Sequence, residues 1–385
     1  MGLIELKGTT MTGLTWTQVH AWRLAQHGLF PRFSLPDVVQ AVTRTSGIQA
    51  QVMSAAELAL CTRVGGISPQ QVQSALWQDH TLVKTWAMRS TLHLLTISEL
   101  PLYVAARNWQ NDKSWSNYFA EIGLTPAQQD AFLAAIPHVL EQGPLTRQQL
   151  ADAVAKHMGV TLVRELIVSS NWGTPLKPSA FRGELCCGPN QGQGQGVTFM
   201  NPRTWVKDWQ PIEQTQALQE FVRRYLQVYG PATPEDFAFW WGCGKTLAKT
   251  LFQSLAEEIE EVEVEGWRAY ALRATLPLIQ RCEPAEAVHL LPLFDAYTIG
   301  VPRDCEPYLA QAYKRQVFNL QGWTFAVILV NGSIQGLWRH KIKRAQAVIT
   351  VNLFSASSAA LRKGIAAEAK RLSQLFEKEV VVEYG

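Results

Sequence analysis

The chain has 385 residues, of which 47% are hydrophobic and only 17% are charged, and its formal net charge is +3 at pH 7. This length is too great for one small core and fits about two to four modules, while the composition excludes a largely disordered chain. The longest apolar run, near residues 325–330, has only the length of a strand, which excludes a membrane-spanning helix.

The first 13 residues lack a basic end followed by an apolar stretch, so we interpret them as an N-terminal tail and not as a secretory signal. The six cysteines form no Cys-x-x-Cys pair. Without an export signal, free thiols in a reducing cytoplasm are the favoured interpretation.

Residues 14–120 follow the pattern of helices that lead into a short hairpin. Capping boxes begin three helices, because a hydroxyl accepts a backbone N–H and the side chain three positions later reaches back. These boxes are Thr15 with Gln18, Ser34 with Asp37, and Ser68 with Gln71. Two β-like runs, 82–86 and 91–95, then bracket residues 88–90. This order of elements is typical of a winged helix.

Residues 121–210 and 211–283 each repeat this outline. In the first of these units Thr146 and Gln149 begin a helix with one apolar stripe, and a hairpin-like stretch with its tip at 192–196 follows. In the second, a capped helix begins at Thr233, and the runs 262–264 and 267–270 pair around a Glu-Gly turn. The irregular spacing indicates repeated architecture without a tandem sequence repeat.

Residues 284–385 change to a pattern of strands. Four runs are β-rich, and Asn331-Gly332 is a strong signal for a two-residue hairpin turn; the runs are 288–294, 323–330, 334–338 and 347–353. A helix over about 356–378 and a last strand at 380–384 complete this part of the chain. The sequence therefore predicts a mainly α chain with β structure: three tandem winged-helix units and a C-terminal α+β module rich in strands.

Gln49 and Gln51 follow a predicted helix end at Gly47, and their spacing places both side chains on one side of an extended backbone. Primary amides donate and accept hydrogen bonds but do not titrate usefully. The pair is therefore suited to orienting a water molecule or contacting a base edge, and not to acting as an acid or a base.

Three further side chains are candidates, and each has a second, structural interpretation. His93 lies in the first predicted wing, where it either supports chemistry or is a hydrogen-bonded strand residue. Arg89, at the turn of that wing, either contacts a phosphate or is solvated. Asp295 follows an apolar run, and its carboxylate either stabilises a developing cation or caps a turn.

A cluster of cations near the C-terminus is a candidate DNA-binding surface. It consists of Trp338, Arg339, His340, Lys341, Lys343 and Arg344. The cluster indicates either phosphate binding with aromatic stacking, or a sheet edge that charges protect from aggregation. Residues 257–265 carry six acids and no base, which leaves the remainder more basic. This asymmetry permits a polyanion-binding face and equally fits ordinary surface charge.

Residues 47–51, 85–95 and 289–300 together resemble the AlkZ-type DNA glycosylases, although residues 301–304 depart from the usual continuation of the third segment. The resemblance implies a monofunctional DNA glycosylase that hydrolyses the N-glycosidic bond of N7-alkylated purines, including those in interstrand crosslinks. It implies that Gln49 and Gln51 position the hydrolytic water, with Ala50 as a small version of the apolar residue between them. It further implies a monomer that curves around alkylated duplex DNA, approaches it with the basic hairpin, and requires no metal or other cofactor.

The chemistry makes uncharged glutamines reasonable, because a purine alkylated at N7 already carries a positive charge and leaves without protonation. Two other functions remain open. A non-catalytic winged-helix transcriptional regulator has no need of the Gln-x-Gln pair. The other is a hydrolase unrelated to DNA that uses His93 with Asp295, but the sequence shows no Ser or Cys nucleophile in a recognisable setting.

Overall fold

A computed structural model describes residues 11–34, 38–107, 113–191, 196–206, 208–319 and 322–385. The N-terminal part alternates short helices and strands: β1 (Thr12–Leu14), α1 (Trp16–Gln26), α2 (Val38–Arg44), β2 (Ile48–Gln49), α3 (Met53–Arg63), α4 (Pro69–Trp77), β3 (Leu82–Trp86), β4 (Leu92–Thr96) and α5 (Leu100–Arg107). The predicted capping boxes at Thr15 and Ser68 are confirmed. Asp37, the expected partner of Ser34, lies outside the described residues.

The middle of the chain is mainly helical. Its elements are α6 (Lys113–Glu121), α7 (Pro126–Val139), β5 (Leu145–Thr146), α8 (Arg147–Met158), α9 (Leu162–Ser169), α10 (Lys177–Phe181), β6 (Cys186–Gln191), β7 (Gly196–Met200), α11 (Gln214–Tyr229), α12 (Pro234–Trp241), α13 (Lys245–Ser254), β8 (Ile259–Val264), β9 (Trp267–Leu272) and α14 (Leu276–Gln280). The predicted helix starts at Thr146 and Thr233 both carry capping boxes. The predicted hairpin tip at 192–196 lies mostly outside the described residues.

The C-terminal part combines helices with a five-stranded sheet. Its elements are β10 (Val288–Leu291), α15 (Ala296–Gly300), α16 (Lys314–Val317), β11 (Val327–Val330), β12 (Ser333–Ile342), β13 (Gln346–Leu353), α17 (Ala359–Phe376) and β14 (Glu379–Tyr384). The five strands follow chain order in one sheet, antiparallel until β14, which α17 brings back parallel to β13. Asn331 and Gly332 form the predicted turn with φ angles of 50° and 91°.

One six-stranded sheet joins the first two predicted units. Its strand order is β2-β4-β3-β6-β7-β5, and the junction is an antiparallel pairing of Lys84 on β3 with Cys187 on β6. The hairpins β3–β4 and β6–β7 both form, but neither stands apart as an isolated wing. The two predicted units therefore share a continuous backbone hydrogen-bond network.

The N-terminal strand and helix pack on the third predicted unit. Residues 12–14, which were expected to fall in or beside a tail, form β1 and pair parallel with β8. Leu14 and Trp22 enter the same apolar cluster as Val262 and Val264, because alternate residues of β8 face that cluster. Burial of these side chains stabilises the packing of β1 and α1 on β8.

None of the helices in the described part of the chain combines the length and apolar character needed to cross a lipid bilayer.

Candidate active site

The Gln-x-Gln segment is held along the edge of the sheet by strand β4. Gln49 pairs with His93, and the Ala50 N–H donates to the Leu92 carbonyl over 2.7 Å. Ala50 is fully buried in the core beside Ile48, whereas Gln49 is 8% exposed and Gln51 is half-buried. The small apolar residue between the two amides is thus packed in the core.

Gly47 makes this entry into the sheet possible. Its φ of +92° lies in the left-handed region, and a Cβ at this position would stand 2.9 Å from a Leu95 side-chain carbon. The Gly47 N–H donates to the Val42 carbonyl and closes α2. A glycine is therefore needed directly before the segment that carries the two amides.

Arg89 is turned inward at the tip of the β3–β4 hairpin. Arg89 and Ser90 are consecutive non-glycine residues with positive φ, 53° and 56°. This turn packs against the end of α12, where a Cβ on Gly242 would lie 2.9 Å from the Arg89 backbone nitrogen. Left-handed backbone at non-glycine residues costs conformational energy and is typical of positions that the surrounding structure fixes.

The Arg89 guanidinium links three elements. Nη1 donates to the Trp240 carbonyl on α12, and Nη2 donates to Gln49 Oε1 over 3.1 Å and to His93 Nε2 over 3.3 Å. Burial lowers the pKa of Arg89 to about 10, with Arg303 contributing repulsion, so the group remains a cation at neutral pH. The hydrogen-bonding capacity of Arg89 is directed to groups inside the protein, in contrast to the expected phosphate contact or solvated position.

His93 is a neutral hydrogen-bonded strand residue. It is 1% exposed, and Nδ1 donates to the Thr91 carbonyl over 2.9 Å, which leaves Nε2 to accept from Arg89. Burial, reinforced by the charge of Arg89, lowers the pKa of His93 to about 3. A histidine in this state has no proton to give to a leaving group at neutral pH.

Asp295 is engaged in a buried ion pair with Arg63 at the end of α3. Two parallel hydrogen bonds of 2.8 Å join the guanidinium to both carboxylate oxygens, and both side chains are 0% exposed. Asp295 also accepts the Tyr297 N–H and so caps α15. The structure thus places Asp295 in the turn-capping role and corrects the expectation of a carboxylate that faces a developing cation, because the enclosed pair is shielded from a substrate.

The basic hairpin β12–β13 projects its cations into solvent. Its exposed polar side chains are Arg339, His340, Lys341, Lys343 and Arg344. Among the described residues, no ion pair occupies any of its four permanent cations. Lys343 and Arg344 lie in the turn between the two strands.

Trp338 has a different position from the cations that follow it. It is 4% exposed, its indole N–H donates to the Leu291 carbonyl over 2.7 Å, and its ring stacks with His340. This corrects the expectation of a stacking platform, because a buried, hydrogen-bonded ring does not present its face to a base. The alternation along β12 places Trp338 on the face opposite Arg339.

A large apolar cavity of about 560 Å³ begins directly after the Gln-x-Gln segment. Val52 and Leu58 line one side, and Pro292, Phe325 and Phe376 of the C-terminal module line the other. Arg339 stands at the same cavity. The cavity therefore lies between α3, which follows the Gln-x-Gln segment in the chain, and the C-terminal module with its basic hairpin.

The arrangement brings together Gln49, Gln51, Arg89 and His93, and keeps Asp295 in a separate enclosed pair. Sequence reasoning missed Arg63, Trp240 and Gly242, whose partners are far away along the chain. Within the described ranges, no three His, Cys, Asp or Glu side chains cluster in a way that would hold a metal ion. The site offers two amides and one fixed cation, which can orient water and polar groups but cannot exchange protons near neutrality.

Comparisons with known proteins give a consistent result. The family profile described as DNA glycosylase AlkZ-like matches residues 42–375. The interstrand DNA cross-link repair glycosylase of Streptomyces sahachiroi is 34% identical over 331 residues, covering 84% of this chain and 87% of that protein. The solved structure of Streptomyces sahachiroi DNA glycosylase AlkZ superposes with a TM-score of 0.85 at 32% identity and covers 97% of this chain and 100% of that chain.

Proposed function

The chain belongs to the AlkZ-like DNA glycosylase family and is a DNA glycosylase, and we propose that its substrates are purines alkylated at N7 in duplex DNA. The family match decides for an enzyme over the non-catalytic regulator and over a hydrolase unrelated to DNA. The choice of leaving group, the roles of individual residues and the mode of DNA contact make up the proposal.

One observation carries the choice of leaving group: among the described residues that contact the amide pair, none holds a proton that it can donate to a base at neutral pH. His93 is neutral with its Nδ1 proton on the Thr91 carbonyl, and Arg89 retains its proton. Asp295 is enclosed with Arg63. Hydrolysis of most N-glycosidic bonds benefits from protonation of the departing base. A site without an acid therefore favours bases that already carry a positive charge.

The proposed reaction is a direct hydrolysis. The water oxygen bonds to C1′ of the deoxyribose while the C1′–N9 bond breaks. The electron pair of the C1′–N9 bond goes to N9 and neutralises the cationic purine. The water gives up its proton to solvent. Gln49 and Gln51 hold the water in line with C1′, and such positioning supplies several kcal/mol of barrier lowering through lost translational freedom.

Two structural features support duplex DNA as the platform. We propose that residues 14–120, 121–210 and 211–283 are winged-helix units, since a helical layer and a hairpin recur in each, although the first two share a sheet. The unpaired cations of the β12–β13 hairpin would contact phosphates, and release of counterions favours such binding.

We further propose that the enzyme acts as a monomer without a metal or other cofactor.

The apolar cavity between α3 and the C-terminal module supports a further part of the proposal, activity on bulky adducts and interstrand crosslinks. Its volume of about 560 Å³ lies in the range of ligand-binding pockets. Val52, the residue after Gln51, is among its lining residues, and we propose that an apolar adduct on the reacting base enters this space. The relative from Streptomyces sahachiroi is named for interstrand cross-link repair.

The test is base release from a duplex that contains one 7-methylguanine, under single-turnover conditions with excess enzyme. We expect the wild type to leave abasic sites and the Gln49→Ala, Gln51→Ala double variant to lose at least about 100-fold in rate. Gln70→Ala is the matched control, because Gln70 is an exposed glutamine on α4.

A duplex with a neutral base, deoxyuridine, tests the leaving-group argument. Efficient release of uracil would contradict the proposal that the site depends on a cationic base. Equal rates for the wild type and the double variant on 7-methylguanine would remove the two glutamines from the mechanism.

A further inference from the structure

We infer that Arg89 is a positioning residue that holds the Gln49 amide in one orientation, with its oxygen directed to the guanidinium and its N–H group left for the substrate side. This inference rests on the proposed function, in which Gln49 contacts the attacking water. It gives Arg89 a role through another residue, in place of a direct contact with DNA.

The first step is the chemistry of the contact between Arg89 and Gln49. A guanidinium has only donors, whereas the two ends of a primary amide are an acceptor and a donor. Arg89 Nη2 lies 3.1 Å from Gln49 Oε1. Rotating the amide by half a turn would set an NH₂ group against the guanidinium, so Arg89 selects one of the two orientations.

The second step is the rigidity of Arg89 itself. Nη1 is bound to the Trp240 carbonyl, and Nη2 is shared between Gln49 and His93 Nε2. His93 is fixed in turn by its Nδ1 bond to the Thr91 carbonyl. The close approach of Gly242 to the Arg89 backbone prevents the hairpin tip from moving toward α12. The guanidinium therefore cannot rotate without breaking several hydrogen bonds.

The third step is the difference that this creates between the two glutamines. Gln51 Oε1 has only a 3.5 Å contact with the Leu92 N–H, at the limit of hydrogen bonding. Its amide is free to turn and to accept an O–H of the water. In the arrangement that follows, the Gln49 N–H binds one lone pair of the water and Gln51 accepts one hydrogen. The second lone pair is then directed at C1′.

The test is a double-mutant cycle with Arg89→Met and Gln49→Ala, measured as the single-turnover rate on the 7-methylguanine duplex. We expect each single variant to lose about 10- to 100-fold, as is typical when a residue that orients a functional group is removed. We expect the double variant to be no slower than Gln49→Ala, because Arg89 acts through Gln49. Arg273→Met, on an ion-paired surface arginine of β9–α14, serves as the control.

Gln49→Glu keeps the test independent of any folding defect in Arg89→Met. Glutamate retains an acceptor for Arg89 but has no N–H to offer the water. We expect its melting temperature to match or exceed that of the wild type, while its rate falls as far as that of Gln49→Ala. A change in rate without loss of stability is a readout that a merely structural contact would not produce.

Several outcomes would overturn this inference. Multiplicative losses in the double variant would show that Arg89 and Gln49 act independently. A wild-type rate in Gln49→Glu would show that the Gln49 N–H is not needed. A salt slope of DNA binding reduced by about 0.9 in Arg89→Met would place Arg89 on a phosphate. If the wild type releases 7-methylguanine and any of these three results is found, the inference about Arg89 is wrong but the proposed function stands. If the wild type releases no 7-methylguanine, the proposed substrate class is wrong, and the inference fails with it.

Discussion

Replacing Asp295 by asparagine tests whether this residue stabilises the fold or the transition state. The carboxylate makes two 2.8 Å hydrogen bonds to Arg63, and both side chains are fully enclosed. In the variant, the amide oxygen can still accept one hydrogen bond from Arg63, as the Ala59 carbonyl does at 3.0 Å, but the second hydrogen bond and the compensating negative charge are lost. An uncompensated buried charge of this kind costs about 3–5 kcal/mol, a large part of the 5–15 kcal/mol that typically stabilises a protein.

The assay combines unfolding in urea, followed by circular dichroism, with the single-turnover rate of base release by the folded enzyme. We expect the free energy of unfolding to fall by about 3–5 kcal/mol and the rate of the folded fraction to change by less than about threefold. Asp304→Asn is the matched control, because Asp304 forms an exposed surface pair with Lys314 and should contribute little.

Loss of more than about 100-fold in rate, with a change of less than about 1 kcal/mol in unfolding free energy, would refute this reasoning. It would show that Asp295 faces the reacting sugar despite its enclosure with Arg63. Joint replacement of Arg63 by methionine and Asp295 by leucine gives a second check, since removing both charges should destabilise less than removing one.

Three further predictions concern pH, salt and packing. The rate on a 7-methylguanine duplex should be flat between about pH 6 and 8, because neither glutamine titrates and the pKa of His93 is held near 3; a bell-shaped profile would reveal an acid or base that we have not identified. Replacing Arg339, Lys341 and Lys343 of the basic hairpin by glutamine should reduce the salt slope of DNA binding by about 2–3. The control Arg273→Gln, on the acidic β8–β9 side, should leave this slope unchanged. Gly242→Ala should lower both the melting temperature and the rate, because its Cβ would collide with the Arg89 backbone in addition to the strain of its positive φ of 86°. Gly66→Ala is the control, because Gly66 has a similar φ of 78° but its Cβ would meet nothing within 4 Å. Equal behaviour of the two variants would contradict the packing of the hairpin tip on α12.

The sequence predicted those features that depend on neighbours along the chain. Helix starts at Thr15, Ser68, Thr146 and Thr233 follow from capping boxes, in which the interacting groups are three residues apart. The Asn331-Gly332 turn follows equally from local backbone geometry. The two-residue period of a strand likewise separates Trp338 from Arg339 across the two faces of β12.

The tertiary structure decided the features that depend on partners distant in sequence. The local sequence could not predict whether Asp295 faces a substrate or the guanidinium of Arg63, because Arg63 lies 232 residues away in the chain. The joining of two hairpins into one sheet depends on the contact between Lys84 and Cys187, which no turn or spacing specifies.

Arg89 gives the sharpest contrast between local pattern and tertiary structure. The sequence alone determined that it sits at the tip of a hairpin, a position that is usually solvated, and that two amides follow Gly47 on one side of the backbone. Only the packing of that tip against α12, with the Trp240 carbonyl as an acceptor, turned the guanidinium inward onto Gln49. Local spacing fixes which groups are close along the chain, whereas burial against a distant helix fixes which of them must satisfy one another's hydrogen bonds.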